Sequence, residues 1–268
     1  MAVIETMTGS ERGMSRGFGR SLPLGIVFPI LLLGLWEAAA RAGLINVAFF
    51  PAPTTILYTA VLQAQTAQFW GDLAISLERI GIGLMMGAVP GVLVGLAMGL
   101  LRPVHDALNP LFAALFPIPK IALLPLLLLI FGIGETSKHV VIAINVFFLM
   151  TLNTYAGVAA IPKIYFDVAT NLKASRLTTY LTVALPGALP GIFTGLRICM
   201  GTALILLVAV EFSTADSGVG YRIWWAWTVF WVDTMYVGFL VIALLGLAFS
   251  YLLDFIERLL ISWRHGRR

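Results

Sequence analysis

Between Arg79 and Arg102 not one residue carries a charge, and the stretch is rich in Leu, Val, Met, Ala and Gly. A helix needs about 20 largely apolar residues to cross a bilayer. The same pattern recurs along the chain. His139–Pro162 and Thr234–Leu253 are uncharged. Ala107–Gly134 is interrupted only by Lys120, and Leu177–Val210 only by Arg197. Ser21–Trp36 is shorter, and Glu37–Arg41 can carry it to the membrane surface. A soluble fold of 268 residues needs a charged coat, yet only 11% of this chain is charged, against roughly 25% in ordinary domains. The expectation is an all-α integral membrane protein with six spans near 22–42, 78–101, 108–132, 139–160, 189–212 and 234–256. Soluble enzymes, disulfide scaffolds and nucleic-acid binders are excluded. Cys199 stands alone, the three histidines have no metal-ligand spacing, and the basic residues sit at the ends of apolar runs.

Positive charge sets the expected orientation. Arg12, Arg16 and Arg20 precede the first span, and Arg102 follows the second. Lys163, Lys173 and Arg176 lie between the fourth and fifth, and Arg258, Arg264, Arg267 and Arg268 follow the sixth. The other links are poor in Lys and Arg. Both termini and the segment 161–188 are therefore expected in the cytoplasm. The domain reading is a cytoplasmic tail at 1–21, a transmembrane domain at 22–263 and a second tail at 264–268. A rival reading takes Arg16, Arg20 and the alanines 38–40 as a signal peptide. The long polar leader and Glu37 at the supposed cleavage site speak against it.

Within the second span, Gly83, Gly87, Gly91, Gly95 and Gly99 recur at every fourth residue. They share one helix face and let another backbone approach closely. The face serves either tight packing inside one subunit or a seam between subunits. Gly187, Gly191 and Gly195 open the fifth span in the same way. The third span carries Pro110, Pro117, Pro119 and Pro125 with Lys120 among them. Freed carbonyls at membrane depth must be satisfied by protein or a wet cavity. Lys120 either pairs structurally or lines a solute path, and Arg197 and Glu211 in the fifth span are further path candidates. Those two are 14 residues apart, about 21 Å along a helix, so they cannot pair with each other. Trp224, Trp225, Trp227, Phe230 and Trp231 read as an interfacial aromatic belt, or as a surface for a solute or a docking protein.

Residues 161–188 mix polar and apolar positions without forming a span. They read as two short helices, Tyr165–Leu172 and Arg176–Thr182, ended by Leu185-Pro186. Asp167-Val168-Ala169, then Lys173 and Ala174, then Val183-Ala184-Leu185-Pro186, keep the spacing of a known signature: E-A-A, three residues, Gly, nine residues, Ile, any residue, Leu-Pro. Other pieces agree in order: Phe50-Pro51-Ala52-Pro53, Ser76-Leu77-Glu78-Arg79, Pro117 to Pro125, Phe131-Gly132-Ile133-Gly134-Glu135, Asn153-Thr154, Gly157, Ala188-Leu189-Pro190, Gly195-Leu196-Arg197, Glu211 and Ser217-Gly218-Val219-Gly220. The chain thus resembles inner-membrane permeases of binding-protein-dependent ABC importers, in the nitrate/sulfonate/taurine/bicarbonate family.

The resemblance implies a type I importer permease of MetI-like architecture. It implies a second permease copy, two cytoplasmic ATPases holding ATP and Mg, and an extracytoplasmic solute-binding protein. The solute is expected to be a small organic or inorganic anion, and the path should lie between two copies. Segment 161–188 would be the coupling element, with Asp167, Val168, Ala169, Lys173, Ala174, Leu185 and Pro186 facing the ATPase. Asp167 replaces the family's Glu and Val168 its Ala. Lys173 replaces its Gly, so lysine must either accept a glycine-like backbone or change the turn. It can also reach an acid on the partner. The chain has no phosphate-binding G-x-x-x-x-G-K-[ST] motif, so it is expected to be non-catalytic, with no cofactor of its own. An ATP-independent carrier or channel is the alternative, though the spans hold few acids and show no inverted repeat. An intramembrane protease lacks H-E-x-x-H or a Ser/His pair.

Overall fold

The computed structural model describes residues 24–261 and is helical throughout, with no strand among the described residues. The tails at 1–21 and 264–268, with Arg12, Arg16, Arg20, Arg264, Arg267 and Arg268, lie outside the described residues, as do positions 22–23 and 262–263 of the expected domain. The chain forms two compact units, split after Thr54. In the first, α1 (Leu24–Arg41) contains Pro29. Its last turn pairs Arg41 with Glu37 at 2.5 Å. Glu37 also accepts from the Thr54 backbone N–H at 3.0 Å and its hydroxyl at 2.8 Å. Glu37 is thus a tied structural residue of the turn that follows α1.

The second unit comprises the rest. Most of α2 (Pro53–Ala64) falls here and leans on α11: Thr59 donates to Asp233 at 2.9 Å, and Gln63 to Thr234 at 3.0 Å. Next come α3 (Ala67–Leu100), α4 (Arg102–Leu115), α5 (Leu124–Phe131) and α6 (Glu135–Ala159). They are followed by α7 (Lys163–Asn171), α8 (Arg176–Thr179), α9 (Leu185–Thr214), α10 (Val219–Thr228) and α11 (Val232–Leu260). Among the described residues, four stretches are long and apolar enough to cross a membrane: α3, α6, Arg176–Thr214 and α11.

Three expected boundaries change. First, α3 begins eleven residues before the expected 78, at Ala67, behind its cap Thr66, whose hydroxyl accepts from the Phe69 N–H at 3.3 Å. Hydropathy marks only the apolar part of a helix. The first turns here carry Gln68, Asp72 and Ser76, polar residues that a hydropathy run omits but a capped helix accommodates.

Second, the span expected at 108–132 is broken. α4 and the stretch Lys120–Phe131, which opens as a 3₁₀ turn (Lys120–Leu123), meet at 89°. Pro117 and Pro119 remove two donors in succession at the corner, which no straight helix absorbs.

Third, Leu185-Pro186 does not end the second short helix. α8 passes through a π-turn (Tyr180–Ala184) straight into α9. Pro186, which has no N–H to give, follows just after the π-turn. The wider π-turn lets the Leu185 N–H reach back to the Tyr180 carbonyl.

The core is a three-helix slab, α3–α6–α9, with Val141, Ile142, Val146 and Met150 of α6 fully enclosed. The glycine ridge of α3 lies on α6. A Cβ placed at Gly91 would stand 2.7 Å from the Met150 Cβ and 3.0 Å from the Phe147 carbonyl oxygen. One at Gly95 would stand 2.5 Å from the Thr151 carbonyl oxygen, and one at Gly99 2.5 Å from Val158. The ridge therefore packs inside the chain. On the other side of α6, Gly191 meets Gly157, where an added Cβ would come within 2.7 Å of the Gly157 Cα. Backbones touch at both seams, which gives dispersion contact in place of the hydrophobic drive that lipid lacks.

Candidate functional site

The segment 161–188 is built on one helix stop and one helix start. α7 turns its Ala169 inward and packs Phe166 on the core, and Ile164, Val168 and Leu172 point outward. Asp167 lies on the exposed side. The helix then ends at a left-handed residue, Lys173, with φ 53°. Its N–H donates to the Thr170 carbonyl at 2.9 Å, and the Ala174 N–H donates to the Ala169 carbonyl at 2.9 Å. Those two bonds are the Schellman closure that glycine usually makes. Lysine has kept the glycine backbone rather than changed the turn. Ser175 then starts α8 by accepting from the Thr178 N–H at 3.1 Å. Of the residues assigned to coupling, Asp167, Val168 and Lys173 are exposed, Ala169 is buried, and Ala174, Leu185 and Pro186 are half-buried. Behind the segment lies a cavity of about 790 Å³, lined among others by Asn153, Gly157, Tyr165, Thr182, Pro186 and Thr194.

The three path candidates lie far from one another in role. Lys120 caps the proline corner: its ammonium donates to the carbonyls of Leu115, Phe116 and Ile118 at 2.9, 3.0 and 2.9 Å, and stands 4.7 Å from the Phe148 ring centre. All three of its N–H donors are used. Arg197 binds two carboxylates of α11, Asp254 at 2.5 Å and Glu257. Glu211 is wholly buried and accepts from Ser76 at 2.8 Å, Arg79 at 2.7 Å and the Gly220 N–H at 2.7 Å.

Glu211 leads to a cluster that the sequence reading quoted piecemeal without joining. Arg79 is 1% exposed. It grips Glu135 through two bonds of 2.7 and 2.8 Å, and also donates to Glu211 and the Ser217 carbonyl. Lys138 closes on Glu135 at 2.7 Å. Three backbone N–H groups in succession then find acceptors: Gly218 on Asp72 (2.8 Å), Val219 on Ser76 (2.9 Å) and Gly220 on Glu211. Asp72, Ser76 and Arg79 recur at helical spacing on one face of α3, and together they hold the turn that opens α10. Arg222 pairs with Asp72 at 3.4 Å, so three cations balance three anions among Arg79, Lys138, Arg222, Asp72, Glu135 and Glu211, and the cluster is neutral, as its buried members Arg79, Lys138, Asp72 and Glu211 require. Hydropathy alone hides that face, because Asp72 and Ser76 precede the apolar run. Beside it, the aromatic group packs on itself: Trp224 lies 4.7 Å from Trp227 and 5.7 Å from Phe212, and Trp225 lies 5.2 Å from Trp231.

Residues 88–264 match the family model of the binding-protein-dependent transport system inner membrane component. The chain belongs to that family. Among relatives, the taurine transport system permease protein TauC of Escherichia coli is 36% identical, with 92% of this chain and 91% of the relative covered. A putative aliphatic sulfonates transport permease of Bacillus subtilis is 30% identical (90% and 88% covered), and the nitrate import permease NrtB of Leptolyngbya laminosa is 34% identical (88% and 86%). The fold resembles a chain of the MetNI methionine ABC transporter in an inward-facing form, with TM-score 0.61 and 18% identity over 69% of this chain and 92% of that one. A bacterial ABC transporter that imports alginate gives TM-score 0.63 and 14% identity, over 88% and 91%. The chain is accordingly a non-catalytic permease subunit of an ABC importer in the inner membrane, and it works with a separate ATPase and a binding protein.

Proposed function

We propose that two copies of this permease form the path for a small anion of the sulfonate, nitrate or bicarbonate class. A binding protein delivers the solute on the outer side, and two ATPases drive its passage from the cytoplasmic side. Taurine, sulfonate and nitrate permeases among the relatives support the solute class. Six spans with both termini in the cytoplasm follow from the charge bias, with α1 and the bent α4–α5 pair completing the four long helices. ATP and Mg bound on the ATPases supply the energy, and this chain supplies the linkage.

The observation that carries the reading is mechanical continuity. α8 runs without a stop through the π-turn into α9. α9 meets α6 backbone to backbone at Gly191 and Gly157, and α6 meets α3 along the glycine ridge. A push on the exposed segment at Asp167–Arg176 therefore reaches the whole slab, because close-packed interiors transmit displacement rather than absorb it. Replacing Asp167 with Lys should abolish uptake while the permease stays in the membrane at wild-type level. Unimpaired uptake by that variant overturns the coupling assignment.

A further inference from the structure

We propose that Lys173 selects the ATPase, by seating its ammonium against an acidic rim on that partner. The inference rests on the reading of 161–188 as the ATPase-facing segment. Five aliphatic side chains stand out from this segment: Ile164 (62% exposed), Val168 (48%), Leu172 (76%), Leu177 (67%) and Leu181 (53%). Ile164, Val168 and Leu172 lie among polar residues outside the uncharged runs, and Leu177 and Leu181 open the fifth run beside Arg176; exposed apolar area of this extent on a charged segment marks an interaction surface. Lys163 precedes this surface, and Lys173 and Arg176 sit within it, against the single carboxylate of Asp167. Among the described residues none of these four charges has an ion-pair partner. The complement of such a surface is an apolar groove with an acidic border.

Lys173 is the member of this set that packing does not explain. Its φ of 53° lies in the left-handed region, which an L side chain occupies at a cost. The two Schellman bonds come from the backbone alone and would be made by glycine without that cost. The lysine side chain therefore adds nothing to the turn, and it is exposed at the end of the Ile164–Val168–Leu172 stripe. A strained residue whose side chain has no internal role points to an external one. The competing occupant is an anionic lipid surface, which also takes cationic amphipathic segments. Asp167 beside Val168, and the break of the apolar surface across a left-handed turn, favour a shaped protein groove.

The test places tagged full-length permease in nanodiscs of phosphatidylcholine alone, which removes anionic lipid. The probe is the ATPase subunit that copurifies with the wild-type permease, and its dissociation constant is measured from low to high salt. Lys173→Arg keeps the charge and should bind as wild type does. Lys173→Asn tolerates the left-handed backbone without the charge; it should bind about twofold to fivefold more weakly, the upper range of one exposed ion pair. Its salt dependence should be flatter, since a rim charge acts through screened attraction. Lys173→Glu should bind more weakly still. Equal affinity and equal salt dependence for Lys173→Asn and wild type overturn the proposal and leave the importer reading intact. Failure of wild-type permease to capture any ATPase overturns both. Variants that differ only in discs containing phosphatidylserine assign Lys173 to the membrane instead, and the proposal falls.

Discussion

Adding one methyl group at Gly91 should separate two helices that now touch. The Cβ of an alanine there would stand 2.7 Å from the Met150 Cβ and 3.0 Å from the Phe147 carbonyl oxygen, with the Thr151 nitrogen at 3.4 Å. Carbon atoms sit comfortably at about 3.5–4.0 Å, so α3 and α6 must part by roughly 1 Å. That shift also loosens the contacts at Gly87 and Gly95, one turn away on either side. Overpacking of this kind costs about 1–3 kcal/mol. Alanine also gains about 1 kcal/mol over glycine in a helix, which would blur a single measurement. Gly81 removes the ambiguity. It lies in the same helix with nothing within 4 Å of its Cβ direction, so Gly81→Ala collects the propensity gain without the clash. The difference between Gly91→Ala and Gly81→Ala should be about 1–3 kcal/mol of destabilisation at position 91. The assay is the thermal unfolding midpoint of the purified permease in one detergent, with uptake measured on the same variants. Equal midpoints for the two variants would refute the account of the ridge as an inter-helix contact.

The buried pair should behave non-additively. Arg79→Met alone leaves Glu211 charged and enclosed, at a cost of about 3–5 kcal/mol, and Arg79→Met with Glu211→Met should cost clearly less than the two single changes summed; an additive cycle in denaturation midpoints contradicts the pairing. Lys120→Met should free three carbonyls at the corner between α4 and α5. These bonds lie on the exposed side, where a hydrogen bond is worth about 0.5–1.5 kcal/mol net, so the unfolding midpoint should fall modestly, whereas Lys120→Arg should recover part of it; unchanged midpoints for Lys120→Met would show that water caps the corner equally well. Removing Asp254 should leave Arg197 with Glu257 alone and lower stability by no more than about 1 kcal/mol, because this cluster is partly exposed; a loss of several kcal/mol would place it in a dry environment.

What the sequence determined by itself is what composition and spacing can express. Uncharged runs such as Ile80–Leu101 demand a bilayer, because water would not tolerate them and one small core could not hold them all. The four-residue glycine repeat demands a close helix neighbour, whatever that neighbour is. The D-V-A to L-P spacing carries the family resemblance on which the proposed coupling role of residues 161–188 rests. The identity of the neighbour was decided only by folding: α6 presents Met150 and the carbonyls of Phe147 and Thr151 to the glycines, and no local rule names a partner sixty residues away. The right angle after α4 was foreshadowed by its prolines, but its Lys120 cap depends on three carbonyls gathered by the bend itself. The continuous path from α8 into α9 overrode a proline that reads as a stop, because a π-turn relocates the missing donor. Asp72, Ser76, Arg79, Glu135, Lys138, Glu211 and Arg222, the last paired with Asp72 at 3.4 Å, form one neutral cluster although their chain positions span 72 to 222. Charges from distant positions cancel only once packing has brought them within bonding distance, so the cluster belongs to the tertiary structure alone.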